Sequence, residues 1–131
     1  MNVVSKLPSP LNTFVLDVPK DKYYDFELPP GSTYPLKGVT YPVDYGHILG
    51  YTSEDGHELD LFVGEQTDGL VGHVLVFRGE DRPDEHKFYI GLDQRDLDGI
   101  LDQLKPVLIE HKAMTNIDEL LEAIKIFKDK G

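Results

Sequence analysis

The sequence predicts an α+β fold: a small five-stranded β-barrel with C-terminal helices packed on it. Short β-type runs separated by turn signals fill the first two thirds of the chain. The last third switches to apolar residues spaced three and four apart, the period of a helix. No linker-like stretch divides the two parts, so residues 1–131 read as one domain, as the length of 131 residues favours.

The elements follow in order. Thr13–Val18 is the first strand. Pro29-Pro30-Gly31 and Tyr34-Pro35 then mark a loop, because proline fixes φ and removes a donor. Tyr45–Thr52 and Glu58–Gly64 are the next two strands, joined at Asp55-Gly56, a dipeptide suited to a tight hairpin. Leu70–Arg78 and Lys87–Leu92 complete the set of strands. Asp96–His111 reads as the first helix, with Pro106 starting, kinking or splitting it. Asn116–Lys128 reads as the second, with Ile117, Leu120, Leu121, Ile124 and Phe127 on one face. Thr115 with Asp118, or Asn116 with Glu119, caps its start. Phe14, Phe62, Phe77 and the stripe of the last helix supply core.

Composition narrows the function. Hydrophobic residues make up 40% of the chain and charged residues 28%, as in a water-soluble domain. No apolar run approaches the roughly 20 residues that span a bilayer. The first residues, MNVVSKLPSPLN, lack the apolar stretch of a secretory signal, and there is no cysteine. The expectation is a cytoplasmic protein with no membrane partner and no thiolate chemistry. The net charge of −11 comes from 13 Lys and Arg against 24 Asp and Glu. Such a surface repels nucleic acid, so Tyr23, Tyr24, Tyr34 and Tyr51 are not read as a base-stacking platform. A small anion can still bind where metal cations stand between it and the carboxylates.

The chemistry concentrates between Tyr41 and Val63. Asp55, His57 and Asp60 lie on the hairpin turn and the strand start after it, where residues two apart share a face. Two carboxylates and an imidazole suit a divalent cation. Oxygen ligands favour Mg²⁺ or Mn²⁺, and the imidazole tilts the choice toward Mn²⁺, Co²⁺ or Zn²⁺. Taken alone, this spacing fits a solvated acidic hairpin better than a site. A second acidic run, Glu80-Asp-Arg-Pro-Asp-Glu-His-Lys87, shifts the balance, because a neighbouring loop can bring it near Asp60. His47 reads as packing or rim, His73 as structural, and His86 as pointing to the face opposite Lys87.

Tyr41-Pro-x-x-Tyr-Gly-x-Ile followed by Glu54-Asp-Gly-x-x-Leu-Asp60 resembles the core of the family I soluble inorganic pyrophosphatases. Val15-Leu-Asp-Val-Pro19 is similar to the family's first strand, Glu80 to Lys87 to its acidic element ending in lysine, and Glu110-His-Lys112 to its Tyr-Lys pair. The resemblance implies an OB-like barrel, a homo-oligomer and Mg²⁺-dependent hydrolysis of pyrophosphate. It implies metal ligands at Asp55, Asp60 and Glu85, with a further metal near Glu80. It implies substrate contacts from Lys22, Tyr45, Lys87 and Lys112, with His111 at the place of the pair's tyrosine, and catalytic roles for Asp60 and Lys87; His57, at the place of the family's proton acceptor, is read as a catalytic base or a metal ligand. A metal-activated water would attack, with no covalent nucleophile.

The chain departs from the family at several places. His57 stands where the family has the Asp that accepts a proton from water, and Glu58 where it has Pro. Glu80 and Glu85 are each one methylene longer than Asp, and His111 replaces a tyrosine. The arginine expected upstream of Tyr41 has no counterpart; Lys37 is the nearest cation. These changes leave open a different metal, another small phosphoanhydride or phosphoester, or a relative that binds metal or phosphate without turnover.

Overall fold

A computed structural model describes residues 7–130. Residues 1–6, part of the stretch read as lacking a secretory signal, and Gly131 lie outside the described residues. Among the described residues, eight strands and two α-helices make a mixed α+β architecture. The strands are β1 (Val15–Val18), β2 (Tyr23–Asp25), β3 (Gly38–Thr40), β4 (Asp44–Thr52), β5 (Glu58–Val63), β6 (Leu70–Val76), β7 (Glu85–Leu92) and β8 (Leu108–Met114). The helices are α1 (Gln94–Leu104) and α2 (Ile117–Ile124). Six strands form one sheet in the order β1-β4-β5-β7-β6-β8; β2 and β3 form a separate ribbon. The large sheet ends at β1 and β8, and no closed barrel forms among the described residues. Among the described residues, no helix is long and apolar enough to cross a membrane.

All neighbours in the large sheet are antiparallel except β5 and β7. That parallel pair arises because β6 folds back as a hairpin partner on the outer side of β7. The sheet is a central layer with a core on each face. On one face Phe62, Val74, Val76 and Tyr89 pack with Leu97, Ile100 and Leu104 of α1. On the other Leu59, Leu61, Phe88 and Ile90 pack with Leu120 and Ile124 of α2. Alternation along β5 and β7 explains the split, since successive side chains leave a strand on opposite faces.

The expected hairpin is present with a longer connection than two residues. β4 ends at Thr52 and β5 begins at Glu58. Gly56 takes φ +84°, and its N–H bonds to the Ser53 carbonyl at 3.1 Å. The positive φ is what only glycine adopts without strain. The final helix also follows its pattern: the Asn116 side chain accepts from the Glu119 N–H at 3.1 Å, and Ile117, Leu121 and Phe127 pack beside the buried Leu120 and Ile124.

The helix expected over Asp96–His111 is corrected. It ends at Leu104, a 3₁₀ turn covers Lys105–Val107, and the chain continues as strand β8. Pro106 has no N–H to continue the helix. Beyond it, β8 supplies the backbone partners that the outer edge of β6 needs. The ribbon of β2 and β3 has no clear signal in the sequence, because three-residue strands carry almost no periodicity.

The start of α1 is fixed locally. The Asp93 carboxylate accepts from the Asp96 N–H at 2.8 Å, and Asp96 returns a bond to the Asp93 N–H at 3.4 Å. Asp93→Ala is expected to cost about 1 kcal/mol, read as a lower denaturant midpoint at unchanged slope. An unchanged midpoint would show that packing alone holds this end of α1.

Candidate functional site

A cleft of about 1320 Å³ opens on the α1 face of the sheet. Its floor is set by strand register. His47 of β4 pairs with Asp60 of β5, which pairs with Lys87 of β7, which pairs with Val74 of β6. Paired residues share a face, so His47, Asp60 and Lys87 stand in one row across three strands. Tyr45 lies two residues along β4 and points the same way. One wall is the loop between β2 and β3; the other is the segment after β6 that contains Arg78, Glu80 and Arg82.

Lys87 is the centre of the floor. Its side chain is 5% exposed, and its Nζ donates to Tyr45 Oη at 2.6 Å and to Asp60 Oδ2 at 2.7 Å. Glu85 Oε2 lies 3.7 Å away. Tyr45 in turn donates to Asp60 Oδ2 at 2.5 Å, so Asp60 spends one oxygen on both donors. Burial opposes the ammonium charge, but Asp60 and Glu85 outweigh it and hold the Lys87 pKa above its usual value. Burial raises the Asp60 carboxyl, yet the Lys87 charge and the bonds from Lys87 and Tyr45 lower it overall. Glu85 follows burial: its pKa is pushed up to about 7, despite Lys87, with Asp60 adding repulsion.

Asp55 reaches the same cleft from the hairpin. Its Oδ1 accepts from Ser53 Oγ at 2.7 Å and the His57 N–H at 3.0 Å; its Oδ2 accepts from Arg82 Nη2 at 2.6 Å. Burial raises its pKa, but these three bonds outweigh it and hold the carboxyl at about 2. Ser53 Oγ also lies 3.3 Å from Glu85 Oε1, tying hairpin to β7. Arg78 Nε sits 3.1 Å from Glu85 Oε2 at an angle too poor for a hydrogen bond, and it is buried without another partner.

The two acidic runs therefore converge. Asp55, His57, Asp60, Glu80, Glu85, Lys87 and Tyr45 all line the cleft. Lys22, His111 and Lys112 do not. Lys22 lies just before β2 and is exposed. His111 and Lys112 are on strand β8, not on a helix, and parity separates them. His111 pairs with Val74 and shares its face, where its Nε2 lies 2.8 Å from Tyr89 Oη. Lys112 pairs with His73 and so leaves on the other face. Tyr89 crosses β6 to reach His111 only because position 72 is glycine: a Cβ there would lie 2.4 Å from its hydroxyl. His47 lies on the rim against Asp17, at 2.8 Å, and His73 is buried beside Glu110. His86 sits on the far face, with Nδ1 2.5 Å from Glu54 Oε2 and its ring against His73 and Phe127.

Arg78 and Arg82 were not singled out from the sequence. They are two of three arginines in the chain, and both line the cleft. The signal was available: Arg82 lies within the acidic run that ends in Lys87 and Arg78 just before it, where cations among carboxylates point to ion pairs. Asp55, Asp60 and Glu85 are matched one for one by Arg82, Lys87 and Arg78. Among the described residues, no group of three or more His, Asp or Glu side chains is arranged to hold a metal ion. By chemistry the donors still suit one. Hard carboxylate oxygens dominate, and nine carboxylates against three Lys and Arg line the cleft, a charge balance that attracts divalent cations.

No family model, curated protein or solved structure matches this chain. The pyrophosphatase resemblance rests on the motifs themselves.

Proposed function

We propose that the cleft hydrolyses a small phosphoanhydride, with inorganic pyrophosphate as the candidate substrate and Mg²⁺ as the first candidate cation. Mn²⁺, Co²⁺ and Zn²⁺ are the alternatives. The observation that carries this reading is the meeting of Asp55, Asp60 and Glu85, from separate elements, in one acidic cleft floored by buried Lys87. An anion entering a cleft with this excess of carboxylates needs cations as company. Asp55, Asp60 and Glu85 would hold such a cation, with Glu80 at the rim. When bound, it supplies charge neutralisation and lowers the pKa of water.

The protein's own groups do the rest. Lys87 and Tyr45 fix the Asp60 carboxylate from below, so it needs no reorganisation. With its amine already committed to Tyr45 and Asp60, Lys87 acts first as a positioning residue. Arg78 lines the cleft, and a guanidinium is suited to phosphate oxygens. His57, on the cleft wall, takes a proton from the attacking water. The same reading makes the large sheet an opened version of the OB-like barrel, and the protein a cytoplasmic homo-oligomer. Exposed Val15 and Leu16 on β1 and Ile109 on β8 suit association at sheet edges.

A second reading has its own support. The one-for-one matching of Asp55, Asp60 and Glu85 by protein cations leaves that cluster charge-balanced without a metal. This favours a module that binds phosphate or metal without turnover. Phosphate release from pyrophosphate decides between them, measured with Mg²⁺, Mn²⁺, Co²⁺ and Zn²⁺ in turn. Hydrolysis predicts release that stops in chelator and falls on the order of a hundredfold or more in Asp60→Ala. No release with any metal, beside measurable metal binding, rejects hydrolysis and selects the module.

A further inference from the structure

The cations of this cluster are not equivalent. Lys87 is sealed beneath Asp60, with a side chain 5% exposed. Arg82 approaches from outside, on the loop between β6 and β7, and its side chain is 39% exposed. Its partner Asp55 is 4% exposed and held in place by Ser53 and the His57 N–H. The carboxylate is anchored and the guanidinium is not. Near Arg82 the loop makes a long bond from the Arg82 N–H to the Gly79 carbonyl, 3.4 Å.

A divalent cation seeking Asp55 must compete for the oxygen that Arg82 occupies, and like charges repel across so short a gap. A guanidinium released there meets exposed carboxylates such as Glu80 and Asp81, and ion pairs in water are worth little. A phosphate arriving with the cation is the natural acceptor, since its oxygens match the planar fork of arginine. The arginines that line the cleft are Arg78 and Arg82, and Arg78 is the more buried of the two, beside Glu85.

We propose that Arg82 is a displaceable counter-ion of Asp55: it gives up the carboxylate to an incoming divalent cation and turns its guanidinium to the phosphate that accompanies it. The proposal rests on the cation- and phosphate-binding reading of the cleft, but not on turnover.

Binding measurements test it without catalysis. Free Mn²⁺ is followed by electron paramagnetic resonance during titration of the wild-type protein, Arg82→Gln, Arg82→Lys and Asp55→Asn. Titrations are repeated with methylenediphosphonate, which carries no hydrolysable bridge. Circular dichroism and melting confirm that each variant is folded. In the absence of the anion, Arg82→Gln is expected to bind Mn²⁺ about three- to tenfold more tightly, the size of a lost charge-assisted contact. Once loaded with Mn²⁺ it is expected to bind the diphosphonate about tenfold more weakly, with Arg82→Lys between it and wild type. Asp55→Asn is expected to weaken Mn²⁺ binding. If Asp55→Asn weakens Mn²⁺ binding but Arg82→Gln leaves it unchanged, the counter-ion role is overturned and the metal reading stands. Tighter Mn²⁺ binding with undiminished diphosphonate binding overturns the transfer to phosphate. If neither wild type nor Arg82→Gln binds Mn²⁺, this proposal and the reading beneath it fall together.

Discussion

Lys87→Met is expected to destabilise the fold by about 3–5 kcal/mol at pH 8, the cost of leaving a buried charge without its partner. Methionine keeps most of the aliphatic stem, so little of the loss comes from packing. The loss comes from Asp60, whose Oδ2 loses a donor at 2.7 Å, and from Glu85, 3.7 Å from the same ammonium. The carboxyls have an escape: below neutral pH they can take protons and remain buried as neutral groups. The deficit should therefore be markedly smaller at pH 5 than at pH 8. Denaturant unfolding at both values measures it. A triple variant, Lys87→Met with Asp60→Asn and Glu85→Gln, should recover much of the loss at pH 8, because it removes the stranded charges. A single variant that loses less than about 1 kcal/mol at pH 8 would mean that water, not Lys87, compensates these carboxylates.

The same cluster shows which features the sequence made legible. The Asp55-Gly56 turn, the Asn116 cap and the stripe of the last helix are local signals, complete within a few residues, and all three are present. The approach of Asp55, Asp60, Glu85 and Lys87 was legible only as two acidic runs that neighbouring loops could bring together; the register that sets Asp60 beside Lys87 comes from the pairing of β5 with β7. β8 was not legible. Its residues are tolerated in a helix, and only pairing with β6 makes them a strand. That single misassignment carried His111 and Lys112 with it. Had the segment been taken as extended, alternation alone would have separated them, since adjacent strand residues cannot face one site. Arg78 and Arg82 were hidden for another reason. A cation in an acidic loop is usually solvated, and only the tertiary approach of the hairpin gives it a carboxylate to hold.

Glu85 should make the folded chain lose stability as pH rises, and Glu85→Gln should abolish that loss. Burial pushes the Glu85 carboxyl from the usual value of 4.5 to about 7, and the groups facing it are Asp55, Asp60, Arg78, Lys87 and Ser53. The folded state thus binds this proton more tightly than the unfolded state. The favourable contribution is fully present below about pH 4.5 and is lost as pH rises through 7. Between pH 4.5 and pH 8 the loss should reach about 2–3 kcal/mol. Other groups act with the opposite sign. Asp55 and Asp60, both lowered, stabilise above about pH 4 and cease to do so in acid. His73, lowered first by burial, disfavours folding as it charges below neutrality. The comparison with Glu85→Gln cancels His73, which is common to both proteins, while the lowered Asp55 and Asp60 titrate below the range scanned. Melting or denaturant curves taken in chelator from pH 4.5 to 8 should show wild type falling steadily relative to Glu85→Gln. Parallel curves would place the Glu85 carboxyl at an ordinary pKa, already ionised and fully compensated by Lys87 and Arg78. In that case the floor of the cleft carries no uncompensated negative charge for an incoming cation to relieve.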